Sequence, residues 1–322
     1  MKLPHRRQFL HLAAGAMAVP AVSGTARAQA YPTRPVRVIT SVLSGGVDDT
    51  LARLIEQSLS ERLGQPFVME NQPIAKATET IRNASPDGHT LALVTAANVI
   101  ATILDEKLNF SFVRDAEPVT GISRNPFVMV VNPSVPSKTV PEFIAYAKAN
   151  PGKIKMAGAS GSILRFAGEL FKMMTGLKIV HVPYEGGDAM VSALLSGEAQ
   201  LLFATMPLAI QHIRTGRLRA LAVTTEMRSE MLPDVPIVGE FVPGYEASGI
   251  QGFWAPKNTP SEVIDRLNQE TNAALGNPNF KGRLAEFGNT LLPGSTAQYG
   301  KTMATETEKW TKVIRVANTT PG

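Results

Sequence analysis

The chain has 322 residues, a formal net charge of +5, 44% hydrophobic residues and no cysteine, which excludes a disulfide framework, a thiolate metal site, a cysteine nucleophile and a lipid anchor on cysteine. The charge excess sits in the first thirty residues, which hold Lys2, Arg6, Arg7 and Arg27 and no acid; without them the net charge falls to +1. A near-neutral chain without clustered Lys and Arg excludes nucleic-acid backbones as partners.

Met1 to Ala30 reads as a cleaved export signal. A basic start, His5-Arg6-Arg7-Gln8-Phe9-Leu10, precedes an apolar run from Leu12 to Val22, and Ala28-Gln29-Ala30 offers a small-x-small cleavage site. The adjacent arginines before Phe-Leu fit a twin-arginine signal, although paired arginines also occur in ordinary secretory signals. No later stretch approaches the ~20 apolar residues of a spanning helix.

From Tyr31 onward, short apolar runs alternate with amphipathic segments, the pattern of an α/β fold with a largely parallel sheet. Val36 to Thr40 reads as a strand, Ser44-Gly45-Gly46 as a turn, and Leu51, Leu54, Ile55, Leu59 and Leu63 as one helical face ending at Gly64. Phe67 to Met69 and Thr90 to Val94 are further strands around a helix from Ala75 to Ala84. The turn lacks the G-x-G-x-x-G spacing of a dinucleotide site. Phe127 to Val131 suits a strand crossing between lobes. A second series follows: helix Pro141 to Ala149, strand Ile154 to Ala157, helix Leu164 to Met174 closed by Gly176, strand Ile179 to Val182, helix Ala189 to Leu195, and strands Gln200 to Phe203 and Leu218 to Val223. Ile250 to Pro256 crosses back, and helices Glu262 to Leu275 and Gln298 to Ala317 close the chain.

The expected architecture is therefore two βα lobes joined by two crossing strands, a two-lobed Venus-flytrap fold with a cleft. Residues 1–30 are the signal, 31–125 with 250–322 the first lobe, and 126–249 the second. Ligands of such sheets sit outside the carboxyl ends of strands. The turns there are Ser44-Gly45-Gly46, Thr95-Ala96-Ala97, Ser160-Gly161-Ser162 and Glu185-Gly186-Gly187. Each leaves helix-start amides free, and those amides with the helix dipole form an anion site. Any one of them alone reads equally as a tight turn. Their recurrence in both lobes points to one carboxylate gripped from two sides.

Ordered stretches along nearly the whole remaining chain carry a family resemblance. They are Tyr31-Pro32-Thr33-Arg34-Pro35-Val36, Ser60-Glu61-Arg62-Leu63-Gly64-Gln65-Pro66, Glu70-Asn71-Gln72-Pro73, Pro86-Asp87-Gly88-His89-Thr90-Leu91, Ala167-Gly168-Glu169-Leu170-Phe171, His181-Val182-Pro183-Tyr184, Leu218 to Thr224, and Ala255 to Pro260. The chain resembles the periplasmic receptors of tripartite tricarboxylate transporters, the Bug family. The resemblance implies a two-lobed carboxylate receptor without a catalytic cycle, working with membrane transporter subunits.

The chain departs from the family where specificity would lie. The usual Pro-Gly-Gly-x-x-Asp is Ser44-Gly45-Gly46-Val47-Asp48-Asp49, with Asp49 as the match and Asp48 extra. Asp49 would meet a ligand ammonium or water, or cap its helix. The family's glycine-rich loop after Asn71-Gln72-Pro73 is replaced by Ile74-Ala75-Lys76-Ala77-Thr78-Glu79, shorter by about three residues, which alters a wall of the usual pocket. Arg165 replaces a histidine and would pair bidentately with a carboxylate. Pro-Tyr-Lys-Gly becomes Pro183-Tyr184-Glu185-Gly186, and the family's Phe-Asp becomes Phe203-Ala204. Glu185 and Asp188 oppose a polyanion, which leaves a monocarboxylate, an amino acid or an uncharged ligand as open as a tricarboxylate. The candidate ligand-binding residues are Ser44, Gly45, Gly46, Asp49, Thr95, Ala96, Ser160, Gly161, Ser162, Arg165, Tyr184, Glu185, Gly186 and Thr205.

Catalytic and metal readings find no pattern. Beyond the signal the histidines are His89, His181 and His212, without ligand spacing. No G-x-S-x-G elbow occurs. Met173-Met174 suit core filling rather than copper. Trp254 would stack on a ligand or seal the hinge, and Trp310 would pack. The expectation is a periplasmic, monomeric binding protein for a small carboxylate or amino acid, with no cofactor, metal or enzymatic step. A ligand sensor for a membrane signalling protein, or a periplasmic enzyme, are the alternatives.

Overall fold

A computed structural model describes residues 31–41 and 47–319. The first series contains β1 (Val36–Thr40), α1 (Val47–Leu63), β2 (Phe67–Asn71), α2 (Ile74–Asn83), β3 (Thr90–Val94), α3 (Ala96–Leu104) and the short α4 (Phe112–Asp115). β1 lies between β2 and β3, parallel to both. Val36 and Val38 are buried on one face of β1 and Ile39 on the other, while Arg37 is exposed and pairs with Glu70 on β2. On α1, Leu51, Ile55 and Leu59 are fully buried. Their four-residue spacing puts them on one face, each contributing about 1.5–3 kcal/mol.

β4 (Ala116–Val131) opens the second series and runs for 16 residues, beginning well before the expected Phe127. It is followed by α5 (Val140–Ala149), β5 (Lys155–Gly158), α6 (Ile163–Thr175), β6 (Val180–Pro183), α7 (Gly187–Ser196), β7 (Leu201–Thr205), α8 (Met206–Arg214) and β8 (Arg219–Val223). The chain ends with β9 (Ser248–Pro256), α9 (Ser261–Leu275), α10 (Pro278–Glu286), β10 (Thr290–Leu291) and α11 (Thr296–Thr319). α8, α10 and β10 had no expected counterpart.

The strand order is β2-β1-β3-β9-β4-β7-β5-β6, with β8 and β10 also on β4. β4 is the structural seam. Its first part, Ala116 to Pro126, pairs antiparallel with β9, and its last part, Phe127 to Val131, pairs with β7 and β8. One strand thus belongs to both halves of a two-lobed α/β fold.

Each half has its own core. Val128 to Val131, Phe143, Phe166, Phe171 and Phe203 centre the second lobe. In the first lobe one cluster lies under α1, α9 and α10, and another surrounds Trp254. α11 is shared between the lobes: Tyr299 and Met303 join the Trp254 cluster, while Trp310, Val313 and Ile314 join the second-lobe core. Trp254 is 1% exposed, donates from Nε1 to the Tyr299 hydroxyl at 2.9 Å, and packs against Phe112. It seals the first lobe and faces no ligand space. Met173 and Met174 pack on the second core, and the His181 ring meets the Gly158 carbonyl at 3.0 Å.

Candidate functional site: the cleft at the seam

Strand register places the candidate turns. β9 runs antiparallel to β3, with Val94 opposite Gly252, and the same strand reaches the seam where Ser248 faces Pro126. The carboxyl ends of β1 and β3 therefore point at the seam. β7 ends with Thr205 opposite Phe127, and β5 and β6 run parallel with it. Strand ends from both lobes meet there, each leading into a helix whose first-turn amides have no partner within the helix. Two flanking contacts bracket the space. Gly161 lies so close to α3 that a Cβ on it would come within 3.9 Å of Leu104. A Cβ on Gly288 would approach Met231 Sδ at 2.9 Å and Met206 Cγ at 3.1 Å.

In the first lobe, Ser44, Gly45 and Gly46 lie outside the described residues. Asp49 is buried, and its carboxylate accepts from Arg53 Nε one turn along α1 at 3.1 Å. The neighbouring Asp48 does the reaching. Its Oδ1 accepts from Asn125 Nδ2 on β4 at 3.1 Å, and its carbonyl accepts from Gln251 Nε2 on β9 at 3.3 Å. Burial pushes the Asp48 carboxyl above its ordinary value, with the Asn125 bond opposing. Thr95 caps α3, where Asn98 Oδ1 accepts both its backbone N–H at 2.9 Å and its hydroxyl at 3.0 Å. Ala96 is the first helical residue after it.

In the second lobe, the turn after β5 braces itself. Ser162 Oγ accepts from the Arg165 backbone N–H at 3.3 Å and donates to the Ala159 carbonyl at 2.9 Å. Arg165 Nη1 donates to the Ser160 carbonyl at 2.7 Å, and the guanidinium rests over Phe166 at 5.1 Å. Arg165 thus holds the turn from its own side, while Ser160 and Gly161 are exposed. Gly186 caps α7 with φ +85°, a conformation that favours glycine. Glu185 and Asp188 beside it are exposed. Tyr184 is half-buried, and burial together with Glu198 raises its phenol. The Tyr184 hydroxyl is buried with no hydrogen-bond partner among the described residues. Thr205 caps α8 at the seam.

Sequence reasoning missed Asp48, Asn125 and Gln251, which join α1 to both crossing strands, and Ser41, whose buried hydroxyl has no partner at the end of β1. It also missed the charged set behind the seam. Arg124 Nη1 donates to Glu246 and Ser248, both at 2.7 Å, and Lys309 Nζ reaches Glu246 at 2.6 Å and Glu306 at 2.8 Å. Burial pushes Glu246 up, but Lys309, Ser248 and Arg124 outweigh it and hold the carboxyl below its ordinary value. Glu306 is raised, chiefly by burial and further by Glu246. Its Oε2 accepts from Trp310 Nε1 at 2.9 Å. A cavity of about 260 Å³ lies beside this set.

The fold has counterparts among known proteins. Residues 51–319 match the model of the tripartite tricarboxylate transporter family receptor, TctC. The chain belongs to this family. BugT of Bordetella pertussis is 32% identical over 306 residues, covering 93% of this chain and 94% of BugT. An R. palustris protein solved with adipate is 32% identical with a TM-score of 0.74, covering 89% of this chain and 98% of that one. MatC of Rhodopseudomonas palustris, with bound malate, is 27% identical with a TM-score of 0.71, covering 88% and 100%. This TctC-family chain thus shares the two-lobed fold of binding proteins rather than enzymes.

Proposed function

We propose that the protein is an extracytoplasmic solute receptor that closes on a small carboxylate or amino acid and presents it to the membrane subunits of a tripartite carrier. The observation that carries this reading is the convergence of strand ends from both lobes on one seam, in a receptor-family chain with relatives solved with adipate and malate. The grip comes from the amides of Ala96, Ser160, Gly161, Glu185 and Gly186, with Asp49, Tyr184 and Thr205 at the margins; the Thr95 N–H is taken by Asn98 Oδ1 and the Ser162 N–H by the Ala159 carbonyl, so neither joins it. Arg165 fixes the Ser160 carbonyl so that the amides of its turn face the guest. A charge-assisted hydrogen bond contributes about 1.5–3 kcal/mol, so a handful of amides reaches the ~8 kcal/mol of micromolar binding without metal or cofactor. Closure follows from tighter binding to the shut form.

The reading also places the protein in the periplasm as a monomer, exported through the segment carrying Arg6-Arg7 and cut near Ala30. It divides the mature chain at residues 125/126 and 249/250, with the end of α11 seated on the second lobe. No helix among the described residues is long and apolar enough to cross a membrane. The test is native mass spectrometry of protein from its source, followed by a thermal-shift screen of carboxylates and amino acids. A small acid recovered unchanged, and raising the melting temperature by mass action, is the expected result. Turnover of that acid, or indifference to every acid, would overturn the reading.

A further inference from the structure

We propose that Asn289 is a specificity-determining residue that donates from its side-chain amide to an uncharged oxygen at the seam end of the ligand; this rests on the receptor reading above. Asn289 is 8% exposed, and its Nδ2 is buried without a hydrogen-bond partner. Such donors are rare because folded proteins pair nearly all buried polar groups. Its backbone is fixed, with its N–H donated to the Leu284 carbonyl at 3.0 Å.

Register places this amide. Thr290 stands opposite Arg124 in the β10–β4 pair, and Thr290 Oγ1 donates to the Arg124 carbonyl at 3.4 Å. One residue further, Asn289 falls opposite Asn125, and opposed residues of an antiparallel pair project to one face. Alternation sends Arg124 to the other face, where it meets Glu246. Asn125 faces the start of α1 and donates to Asp48. On the far side, Gly288 abuts Met206, the residue after Thr205. Asn289 therefore stands where the first lobe, the seam and the start of α8 come together.

The company it keeps selects the oxygen. Asp48 is half-buried and accepts from Asn125, and no cation pairs with it among the described residues. A second carboxylate placed at Asn289 would face this acid. An amide or carbonyl oxygen would satisfy the Nδ2 donor without that repulsion, and sites that hydrogen-bond a ligand group discriminate strongly against analogues lacking it. The ligand class is thus a small carboxylate with a neutral acceptor at its other end.

The test compares acids of one length by calorimetry: hexanoate, adipate and the monoamide of adipate, then butyrate, succinate and succinamate. The wild type is expected to bind the monoamides most tightly. Asn289→Ala should weaken the monoamides about tenfold, equivalent to about 1.4 kcal/mol, and leave the alkanoates unchanged. Asn289→Asp is isosteric and folds even if the alanine variant does not; it should lose at least as much. Asp48→Asn should raise dicarboxylate affinity toward that of the monoamide. Equal losses across each set, or unchanged monoamide binding in both Asn289 variants, would overturn the assignment while leaving a carboxylate receptor standing. A wild type that binds no member of either set overturns it too, and one indifferent to every carboxylate would remove the receptor reading with it.

Discussion

Arg124 and Asn125 are neighbours on β4, yet their side chains enter opposite environments. Behind the seam, Arg124, Glu246, Lys309, Glu306, Ser248 and Trp310 satisfy one another. In front, Asp48 has a neutral amide for a partner, and Ser41 and Asn289 keep unpaired polar atoms. A completed network holds the lobes together. Unmet groups wait for something from outside, because a buried donor or acceptor left alone costs about 1–3 kcal/mol. The contrast separates structure from function on adjacent residues of a single strand.

The largest expected effect comes from breaking the rear network. Lys309→Met leaves Glu246 and Glu306 without their shared cation, and removing one partner of a buried pair costs about 3–5 kcal/mol. The solvent contact these groups keep, 21% exposure for Lys309 and 13% for Glu246, makes the lower end apt; urea denaturation measures it. Next is the acid limb of stability. Glu246 titrates below its ordinary value when folded, so its contribution is complete above that ordinary value and is lost as pH falls through the lowered one. Glu306 is raised, so its contribution has the opposite sign, present at low pH and lost as pH rises through the raised value. Glu246→Gln should therefore flatten the loss of melting temperature on acidification, whereas Glu306→Gln should leave that acid loss in place.

In front of the seam, smaller effects are expected. Ser162→Ala removes the cap of α6 and should cost about 1 kcal/mol, while loosening the turn that carries Ser160 and Gly161. Ligand affinity should fall more than stability does, as titration of wild type and variant by calorimetry would reveal. Asp48→Asn keeps an acceptor for Asn125 and removes a carboxyl that burial disfavours. It should raise the ligand-free melting temperature by one or two degrees, near the small end of what about 0.5 kcal/mol gives in a domain of this size. A fall would mean that an unseen cation compensates the acid.

The α/β alternation was legible because strands covered on both faces are largely apolar, as in β3 and the last part of β4, and because β1 keeps Val36, Val38 and Ile39 buried around a single exposed Arg37. The first part of β4 was not. Glu117, Pro118, Gly121, Ser123, Arg124 and Asn125 carry no apolar run and were given no element, whereas the strand uses them for irregular register near Pro118 and Gly121 and for the polar contacts at the seam. α8 escaped notice behind Pro207 in its first turn, and β10 is two residues long. In the cleft, the turns followed from the strand-end rule, since that rule is local. Asp48 and Asn125 are 77 positions apart, and Asn289 comes next to the Thr290–Arg124 pair only through the pairing of β10 with β4, so no periodicity could bring the three together. Arg165 was legible as a residue of interest, but its lock on its own turn needed coordinates.

α11 spans 24 residues, a rod of about 36 Å at 1.5 Å per residue, with one foot at Tyr299 and Met303 and the other at Trp310, Val313 and Ile314. Any opening or shutting of the jaws must leave both feet planted or unseat an indole from a greasy socket. With both feet held, any relative turn of the lobes has to be taken up as torsion or bending of the helix between Met303 and Trp310.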